Sequence, residues 1–490
     1  MGRSASASFE APLCGAPRDD VALTTSRHAE VRAERASKHR QAASAGGSSL
    51  TPRSQTRRHF LALAGALAGV AAARPALAAP LALRLVTEFG VKPGVAADQG
   101  RALQKALDTV AISGETLYLP AGIYRTSALK AANGTRLAGA PGASRLVSTG
   151  DAVLLSGGDG LVLDGLAFEG GGLSVDRGSG VRIRDCVVTG APGNAIALTG
   201  VAGEVSGCTI ARAGKAALFA QDSRGLRIEG NNVDGAADNG ILVWRSTPGP
   251  DGTLVSGNRI SGIGMKSGGS GQYGNGINIF RAGNVIVANN RISGCAYSAV
   301  RGNAASNLQV LGNNCSGMGE VAIFVEFGFQ GAVVASNIVE DAAVGICITN
   351  FKEGGRLAVV QGNLVRNLRT GLPPGNDPGG ASGVGIVVEA DSAVSGNVVE
   401  GAPSAGIRLG YGPYLRDVSI TGNVVRNAGI GIGVSLVEGA GSAVIADNLI
   451  SGARDGAIVG LAWEKPLTGD LLAPGARIDP RLTLNGNRSL

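Results

Sequence analysis

The chain has 490 residues, of which 79 are glycine, 44% are hydrophobic and only 4% are aromatic. Its glycines follow no three-residue period, which excludes a collagen-like chain, and its hydrophobic content argues against intrinsic disorder. Of the net charge of +7, +6 lies in the first 79 residues, where eleven Lys and Arg face five Asp and Glu. The rest is nearly neutral, so no basic face for nucleic acid is predicted.

The N-terminal region predicts an export signal. Thr-Arg-Arg-His-Phe-Leu at positions 56–61 leads into the apolar run 61–73, and Ala-Leu-Ala at 76–78 has the small residues of a cleavage site. This pattern resembles a twin-arginine signal peptide, and the apolar run is too short for a stable membrane span. We expect a disordered or mis-assigned extension over 1–53 and a signal peptide over 54–79. The twin-arginine machinery would then deliver a periplasmic or secreted protein with no membrane segment.

Removal of this leader would leave a chain without histidine, because His28, His39 and His59 all precede residue 80. Imidazole catalysis and histidine-ligated metals are therefore excluded for the mature protein. Its five cysteines show no Cys-x-x-Cys spacing, which argues against a thiolate metal site. We predict no metal site, and the sequence shows no cofactor motif.

The segment 80–134 predicts one helix and the first strands. Asp98 stands where a helix N-cap is expected. Apolar residues with helical spacing follow it, which gives the helix one face to bury. These residues are Ala102, Leu103, Ala106, Leu107 and Val110.

From the 160s to the 450s, a motif of the form apolar-x-Gly-Asn-x-apolar returns about every 25 residues; clear copies are Val255–Ile260, Val360–Val365, Val394–Val399 and Ile420–Val425. A fixed period indicates stacked copies of one structural unit. Gly and Asn tolerate the left-handed backbone angles that a sharp corner between strands requires. We predict an all-β, single-domain right-handed parallel β-helix of about 12 or more coils, with an N-terminal capping helix. The coils would span 135–460, with a C-terminal cap over 461–490.

The repeats also predict rows of equivalent side chains on successive coils. An internal ladder of amides is expected from Asn231, Asn258, Asn290, Asn313, Asn337, Asn363, Asn397, Asn423 and Asn448. A surface row of alternating charge is expected from Glu340, Arg366, Glu400 and Arg426. Cys186 and Cys208 occupy the asparagine position of consecutive repeats, where they would form either a small apolar ladder or a disulfide.

The chain resembles the pectin-lyase-like superfamily of right-handed β-helices over roughly residues 86–460. Besides the repeats, the resemblance rests on Phe89-Gly-Val91, on the helical segment 98–107 and on the strand segment 117–124. The leader joined to such repeats is similar to a family of exported β-helix repeat proteins of unknown activity. In the superfamily's polysaccharide enzymes, substrates lie across the outer face of one sheet. The Gly-His-Gly and Asp-Pro-His-Asp segments of its polygalacturonase-like and alginate epimerase members do not occur here.

This resemblance implies a site on the strand that follows the variable loop of each coil. The alternation of apolar residues indicates which side chains of that strand point outward. Aromatic, amide and basic side chains suit sugar rings, which offer apolar faces and hydroxyl groups. The predicted substrate-binding residues are Trp244, Arg245, Asn278, Phe280, Asn303, Asn350, Lys352 and Tyr411. The aromatic residues among them are expected to be exposed.

Glu326 and Glu389 are the candidate catalytic pair, with Arg301 beside them. Two coils apart, the carboxylates would be roughly 9–10 Å from each other, at the upper edge of the range used by inverting glycosidases. Arg301 would keep Glu326 ionised or neutralise a uronate. Alternatively, both glutamates are solvated surface residues, one of them paired with Arg301. A lyase would instead use Arg301, Arg245 or Lys352 as its base.

These features predict an exported protein that binds a polysaccharide and, as an enzyme, cleaves it as a hydrolase or lyase. The alternative is a non-catalytic cell-envelope scaffold or adhesin-like protein, which the missing histidines and acid clusters favour. A cofactor carrier is a third hypothesis. The expected partner is a glycan, and the sequence predicts no oligomeric state.

Overall fold

The computed structural model describes residues 82–269, 271–349, 351–371 and 382–490. The predicted extension (1–53) and signal peptide (54–79) lie outside these ranges. The described residues form one α-helix, Gly100–Ser113, and two 3-10 helices, Val86–Phe89 and Phe351–Glu353, among many short strands. Neither the α-helix nor the 3-10 helices have the length and hydrophobicity that a bilayer crossing needs.

The strands form a right-handed parallel β-helix of about 14 turns, which confirms the predicted fold. Each coil adds a strand to each of three parallel sheets. The first sheet precedes the Gly-Asn corner and contains Leu83–Leu85, Thr116–Leu119, Arg136–Gly139, Val162–Asp164, Arg227–Glu229, Leu254–Ser256, Ile286–Ala288, Leu308–Leu311, Gln330–Ala335, Arg356–Gln361, Ser392–Ser395, Val418–Thr421, Ala443–Ala446 and Leu482–Asn485.

The second sheet follows that corner. It contains Gly122–Thr126, Ser144–Ser148, Leu166–Glu169, Val187–Thr189, Thr209–Ala213, Asn232–Ala236, Arg259–Ile263, Arg291–Cys295, Leu364–Arg366, Leu449–Ser451 and Arg488–Ser489. The third sheet closes each coil, with Leu129–Lys130, Val153–Gly157, Ala216–Gln221, Asn239–Pro250, Asn275–Gly283, Val300–Asn303, Val384–Val388 and Ile458–Ala462.

Some strands continue around a corner and so belong to two sheets. The third and first sheets share Gly172–Arg184 and Ile196–Ser206. The second and third share Asn314–Glu326, Ile338–Ile348, Val398–Leu409 and Val424–Ser435. Side chains that point into the coils form one continuous apolar core along the stack.

The Gly-Asn corners have the backbone that the motif predicts. Gly257, Gly362 and Gly422 take left-handed φ values of 64°, 62° and 63°. The asparagine that follows each glycine turns its amide into the stack. Asn258 Nδ2 donates to the Ile228 carbonyl and to Asn290 Oδ1, both at 2.9 Å.

This pattern confirms the amide ladder, since the same pair of bonds recurs at every asparagine predicted to belong to it. The ladder continues one coil further than predicted, to Asn487. At the opposite end of the ladder, the backbone N–H of Cys208 donates to Oδ1 of Asn231, the first asparagine. Cys186 and Cys208 are both free thiols, as the apolar-ladder interpretation requires. In the surface charge row, Arg366 pairs with Glu340 at 3.0 Å.

The α-helix Gly100–Ser113 covers the N-terminal end of the core, and Leu103, Ala106, Leu107 and Val110 are buried as predicted. Its N-cap residue is Gln99, so the assignment of Asp98 was one residue early. The Asp98 carboxylate still accepts a hydrogen bond from the first helical N–H, that of Gly100, at 2.7 Å.

The segment predicted as the C-terminal cap closes the stack and also extends it. Lys465–Asp470 pairs antiparallel with Ile458–Ala462, the last strand of the third sheet. Leu482–Asn485 and Arg488–Ser489 then add a further strand to the first and second sheets. The end of the chain therefore belongs partly to the β-helix itself.

Candidate functional site

The outer face of the third sheet carries the residues that the sequence singled out. Strand register places Trp244, Phe280, Asn303 and Glu326 side by side on four successive coils. A parallel row two residues earlier contains Leu242, Asn278, Arg301, Phe324, Cys347, Val387 and Arg408. The register therefore aligns the predicted outward positions of successive coils in two rows.

Arg301 is the centre of a buried polar cluster. Its Nε lies 2.7 Å from Glu326 Oε1, and its Nη2 donates to Oε2 at 2.9 Å. Nη1 contacts Glu320 at 3.3 Å, and Asn303 Nδ2 also donates to Glu326 Oε1 at 3.0 Å. Burial lowers the pKa of Arg301, but Glu326 and Glu320 outweigh that effect and hold the pKa above its ordinary value. The cluster is a fixed ion-pair network.

Val325 pairs with Ile348, which pairs in turn with Val388. Glu326 and Glu389 directly follow Val325 and Val388 in the sequence, so they lie two strands apart in the same row. Glu389 Oε2 accepts a hydrogen bond from the backbone N–H of Phe351 at 2.7 Å. The register thus places the predicted acid pair two strands apart in one row, as expected. Both carboxylates are engaged in hydrogen bonds to protein groups.

Lys352 lies in the short 3-10 helix Phe351–Glu353, past the end of the sheet strand, with Nζ 3.7 Å from Glu353. Arg245 follows Trp244 at the point where the register of its strand shifts, and its Nη1 is 4.0 Å from Asp251. Asn350 lies outside the described residues. The described ranges contain no group of three or more Cys, His, Asp or Glu positioned to hold a metal ion.

Two aromatic rings lie together at the N-terminal part of the face. The ring centroids of Trp244 and Phe280 are 4.2 Å apart, and the Arg281 guanidinium lies 4.7 Å from the Phe280 ring. Trp244 and Arg281 are half-buried. Asn278 is turned toward the loop before its strand, since its Nδ2 donates to the Gly271 and Gln272 carbonyls. Asn278 therefore holds that loop against the sheet.

The expectation that the aromatic substrate-binding residues are exposed was wrong for Phe280 and Tyr411, whose exposed fractions are 5% and 8%. Phe324, in the row of Arg301, is also buried. Arg301 and Glu326 are fully buried as well, and Glu389 is only 8% exposed, so the two glutamates are not the solvated surface residues of the alternative interpretation. The Phe280 ring packs against Trp244 and the Tyr411 ring against Trp463, whereas Phe324 belongs to a second apolar cluster on the outer face. Its members are Val321, Phe324, Val344, Cys347, Val384, Val387, Ala405, Ile430, Val459 and Leu461.

The sequence contained a signal for this cluster. Strands buried on both faces appear as nearly continuous apolar runs, without the alternation of a half-exposed strand. Ala342–Ile348 and Val384–Val388 are such runs. Sequence reasoning also missed Glu320, which precedes the outward positions of its strand, and Trp463, which lies beyond the predicted last coil.

Comparisons with known proteins agree with the fold. Residues 194–364 match the family described as right handed beta helix region. Residues 83–165, which include the capping helix, match the family described as rhamnogalacturonase A/epimerase, pectate lyase-like. No curated protein matches the chain in sequence.

Solved structures with a similar fold come from several kinds of protein. The catalytic unit of a thermostable GH87 α-1,3-glucanase from Streptomyces thermodiastaticus is 16% identical, with a TM-score of 0.47 over 84% of this chain and 69% of that one. The N-terminal fragment of bacteriophage phi29 gene product 12 is 16% identical, with a TM-score of 0.49 over 83% and 70%. PfbA, a surface adhesin of Streptococcus pneumoniae, is 14% identical, with a TM-score of 0.43 over 83% and 100%.

At these identities the likeness to solved structures concerns the fold alone. The two family matches cover the capped N-terminal end and the central coils, and the strand register shows the same parallel stack across both. The chain therefore belongs to the pectin-lyase-like superfamily of right-handed parallel β-helices.

Proposed function

We propose that the chain binds a polysaccharide along the outer face of its third sheet. The observation that carries the proposal is the contact between Trp244 and Phe280, with Arg281 beside them on the same face. Aromatic rings flanked by hydrogen-bond donors match the apolar faces and hydroxyls of sugars. The match of residues 83–165 to the rhamnogalacturonase A/epimerase family supports a polysaccharide ligand.

The geometry favours binding without cleavage. A general acid or base must exchange a proton with the substrate, but both Glu326 oxygens already accept hydrogen bonds from Arg301, and Asn303 adds another. Glu389 is held by the Phe351 backbone. We therefore propose that Arg301 and Glu326 order the face, and that the protein is a non-catalytic glycan-binding module.

The test combines binding and turnover on one panel of neutral and acidic glycans. Trp244→Ala is expected to weaken binding about tenfold, since it removes the aromatic ring. Trp244→Phe is the matched control and should retain most of the affinity. Unchanged binding by Trp244→Ala would exclude this face as the site.

Turnover is followed in the same samples as new reducing or unsaturated ends. The wild-type chain is expected to produce neither. If it does, and if Glu389→Gln abolishes the products while the variant still melts at the wild-type temperature, the enzyme hypothesis is correct. Glu389 suits this comparison better than Glu326, because removing one partner of a buried ion pair is itself destabilising by roughly 3–5 kcal/mol.

We further propose export through the twin-arginine pathway, which rests on the leader at 54–79. Replacing both Arg57 and Arg58 by Lys in the full chain should leave an unprocessed protein inside the cell. The wild-type chain should appear in the periplasm or medium in a shortened form. Export of the double variant at the wild-type level would contradict the proposal.

A further inference from the structure

A second polar and aromatic cluster lies at the C-terminal end of the same outer face, around Arg408. Arg408 lies in the same row as Arg301, four strands further along the stack. At the usual strand spacing, the backbones of the two residues are about 19 Å apart. The exposed fraction of Arg408 is only 5%. Within the described part of the chain, its Nε and Nη1 are buried and have no hydrogen-bond partner.

Buried donors without an acceptor are rare in folded proteins, and each one calls for an explanation. The nearest acidic group is Glu464, whose carboxylate lies 3.7 Å from Arg408 Nη1. That distance is within reach of an ion pair but too long for a hydrogen bond. The guanidinium is thus balanced in charge by Glu464 and still has N–H groups to donate.

Glu464 and its neighbour Trp463 form the tip of a hairpin, because Ala462 pairs directly with Lys465. Trp463 has a φ of 60°, in the left-handed region where two-residue hairpin turns favour Asn and Gly. A bulky side chain is held there against its backbone preference. Such local strain is concentrated at functional sites.

The hairpin tip places the Trp463 ring on the outer face. The ring meets Tyr411 edge-on, with centroids 4.9 Å apart and planes at 74°. It also packs on Gly412, where a Cβ atom would lie 2.4 Å from the indole. The Gly412 carbonyl accepts a hydrogen bond from the Ser435 hydroxyl at 2.6 Å, which fixes the backbone on which the indole packs. With 38% of Trp463 exposed, a ligand can reach the ring.

We propose that Trp463, Arg408 and Glu464 form a subsite for one neutral sugar residue. A sugar ring would stack its C–H face on Trp463 while its hydroxyls donate to Glu464, and a shift of the exposed Glu464 side chain would let a hydroxyl accept from the buried Arg408 donors. Sugar hydroxyls do both, whereas an anionic substituent would meet the Glu464 carboxylate. The inference rests on the proposed function and extends it, since it names a second contact region and a class of sugar.

Trp463→Asn separates binding from folding. Because Asn accepts a positive φ more readily than Trp, relief of backbone strain offsets part of the packing lost against Tyr411 and Gly412, and this variant should still unfold in one cooperative transition. It should nevertheless bind neutral gluco- and mannohexaoses about tenfold more weakly. Wild-type affinity in Trp463→Asn would overturn the subsite.

Arg408→Met tests the donors at similar side-chain volume. This variant should also bind the neutral hexaoses more weakly. If its affinity equals that of the wild-type chain, the Arg408 donors do not contact the sugar and are occupied only by water. The affinity of Glu464→Gln for a hexauronate tests whether the subsite selects against acidic sugars. Because the substitution removes the carboxylate that an anionic sugar would meet, this variant should bind the hexauronate more tightly than the wild-type chain does. Uronate binding stronger than that of neutral hexaoses by the wild-type chain would assign the site to acidic sugars and overturn the neutral class.

Trp244→Ala distinguishes the two proposals. If Trp244→Ala weakens binding while Trp463→Asn and Arg408→Met do not, the subsite is wrong and the proposed function stands. If the wild-type chain binds none of these sugars, both fail. Since the chain has two tryptophans, Trp244→Phe leaves Trp463 as the single reporter, and a saturable change in its fluorescence on adding neutral hexaose is expected.

Discussion

Single asparagines connect each coil to two others. Asn231 Nδ2 donates to the Val205 carbonyl in the coil below and to Asn258 Oδ1 in the coil above, both at 3.0 Å. Its Oδ1 accepts from the Cys208 N–H. All of these groups are buried, so they cannot turn to water when the amide is lost.

Asn231→Ala is therefore expected to destabilise the protein by roughly 1–3 kcal/mol, the cost of leaving buried polar groups unpaired. Urea unfolding monitored by circular dichroism would measure the loss. Asn232→Ala, at the adjacent exposed position, is the matched control and should change the free energy of unfolding by less than about 0.5 kcal/mol. Equal effects at the two positions would contradict a role for the ladder.

Cys208 allows the converse experiment. Its Sγ lies 3.5 Å from the Ile183 carbonyl in the coil below. Each ladder amide donates to the equivalent carbonyl in the coil below it, as Asn231 does to Val205. Cys208→Asn is expected to extend the ladder and to stabilise the fold by about 0.5–1.5 kcal/mol, the net value of a typical hydrogen bond.

Cys295→Asn is the control for this gain. Cys295 is buried in the apolar core away from the ladder, and burial raises the pKa of its thiol well above the usual range. An amide there would lack partners, so this variant should melt below the wild-type protein. A decrease in melting temperature for Cys208→Asn as well would show that the corner cannot accept an amide.

At the level of elements, Arg481 holds the last strands to the stack. Its guanidinium donates to the carbonyls of Leu436, Val437 and Ala440. Asp479 lies 2.7 Å away and orients it. Hydrogen bonds from the Arg481 side chain and backbone lower the pKa of Asp479 to about 2.

This pKa predicts how the C-terminal strands respond to acid. A folded-state pKa of about 2 lies below the unfolded value of about 3.9, so the stabilisation is complete above that value and is lost as the pH falls toward 2. Asp479→Asn should thus cost on the order of 1 kcal/mol at pH 7, and the difference from wild type should shrink between pH 4 and pH 2.5.

Urea unfolding at each pH would measure this dependence. Asp455→Asn serves as the control, because Asp455 pairs with its neighbour Arg454 in an exposed position where ion pairs contribute little. A difference between wild type and Asp479→Asn that stays constant from pH 7 to pH 2.5 would contradict the assignment.

The corners of the coils could be predicted from sequence because their cause is local. A Gly-Asn dipeptide sets its own backbone angles. Its position also fixes which side chains of the following strand point into the coil and which point outward. The outer face depends on more distant packing. The apolar runs around Val344 and Val384 indicate strands buried on both faces, but no local signal shows that these strands pack against Phe324 or that Glu320 reaches Arg301. Trp463 was missed because its position depends on a hairpin that interrupts the repeat.

On the scale of the whole molecule, each coil contacts the coils above and below it. Stability in such a stack is nearly a sum of coil and interface terms. A complete coil should therefore be removable if the new neighbours match. Residues 187–208 form such a coil, which begins after Cys186 and ends at Cys208, and the predicted site residues all lie outside it.

Deletion of 187–208 would join Cys186 to Thr209 and bring Cys186 beneath Asn231, whose Oδ1 could accept the Cys186 N–H in place of the Cys208 N–H. Apolar residues would still face apolar residues inside, because Ile183 and Ile228 each pair with the deleted Val205. The shortened chain should unfold in one cooperative transition and bind glycan as the wild type does. Deletion of 187–197 removes half a coil and should abolish folding, since every later strand would move to the wrong sheet. If both deletions fold equally well, or if both fail, the coil is not the unit of stability.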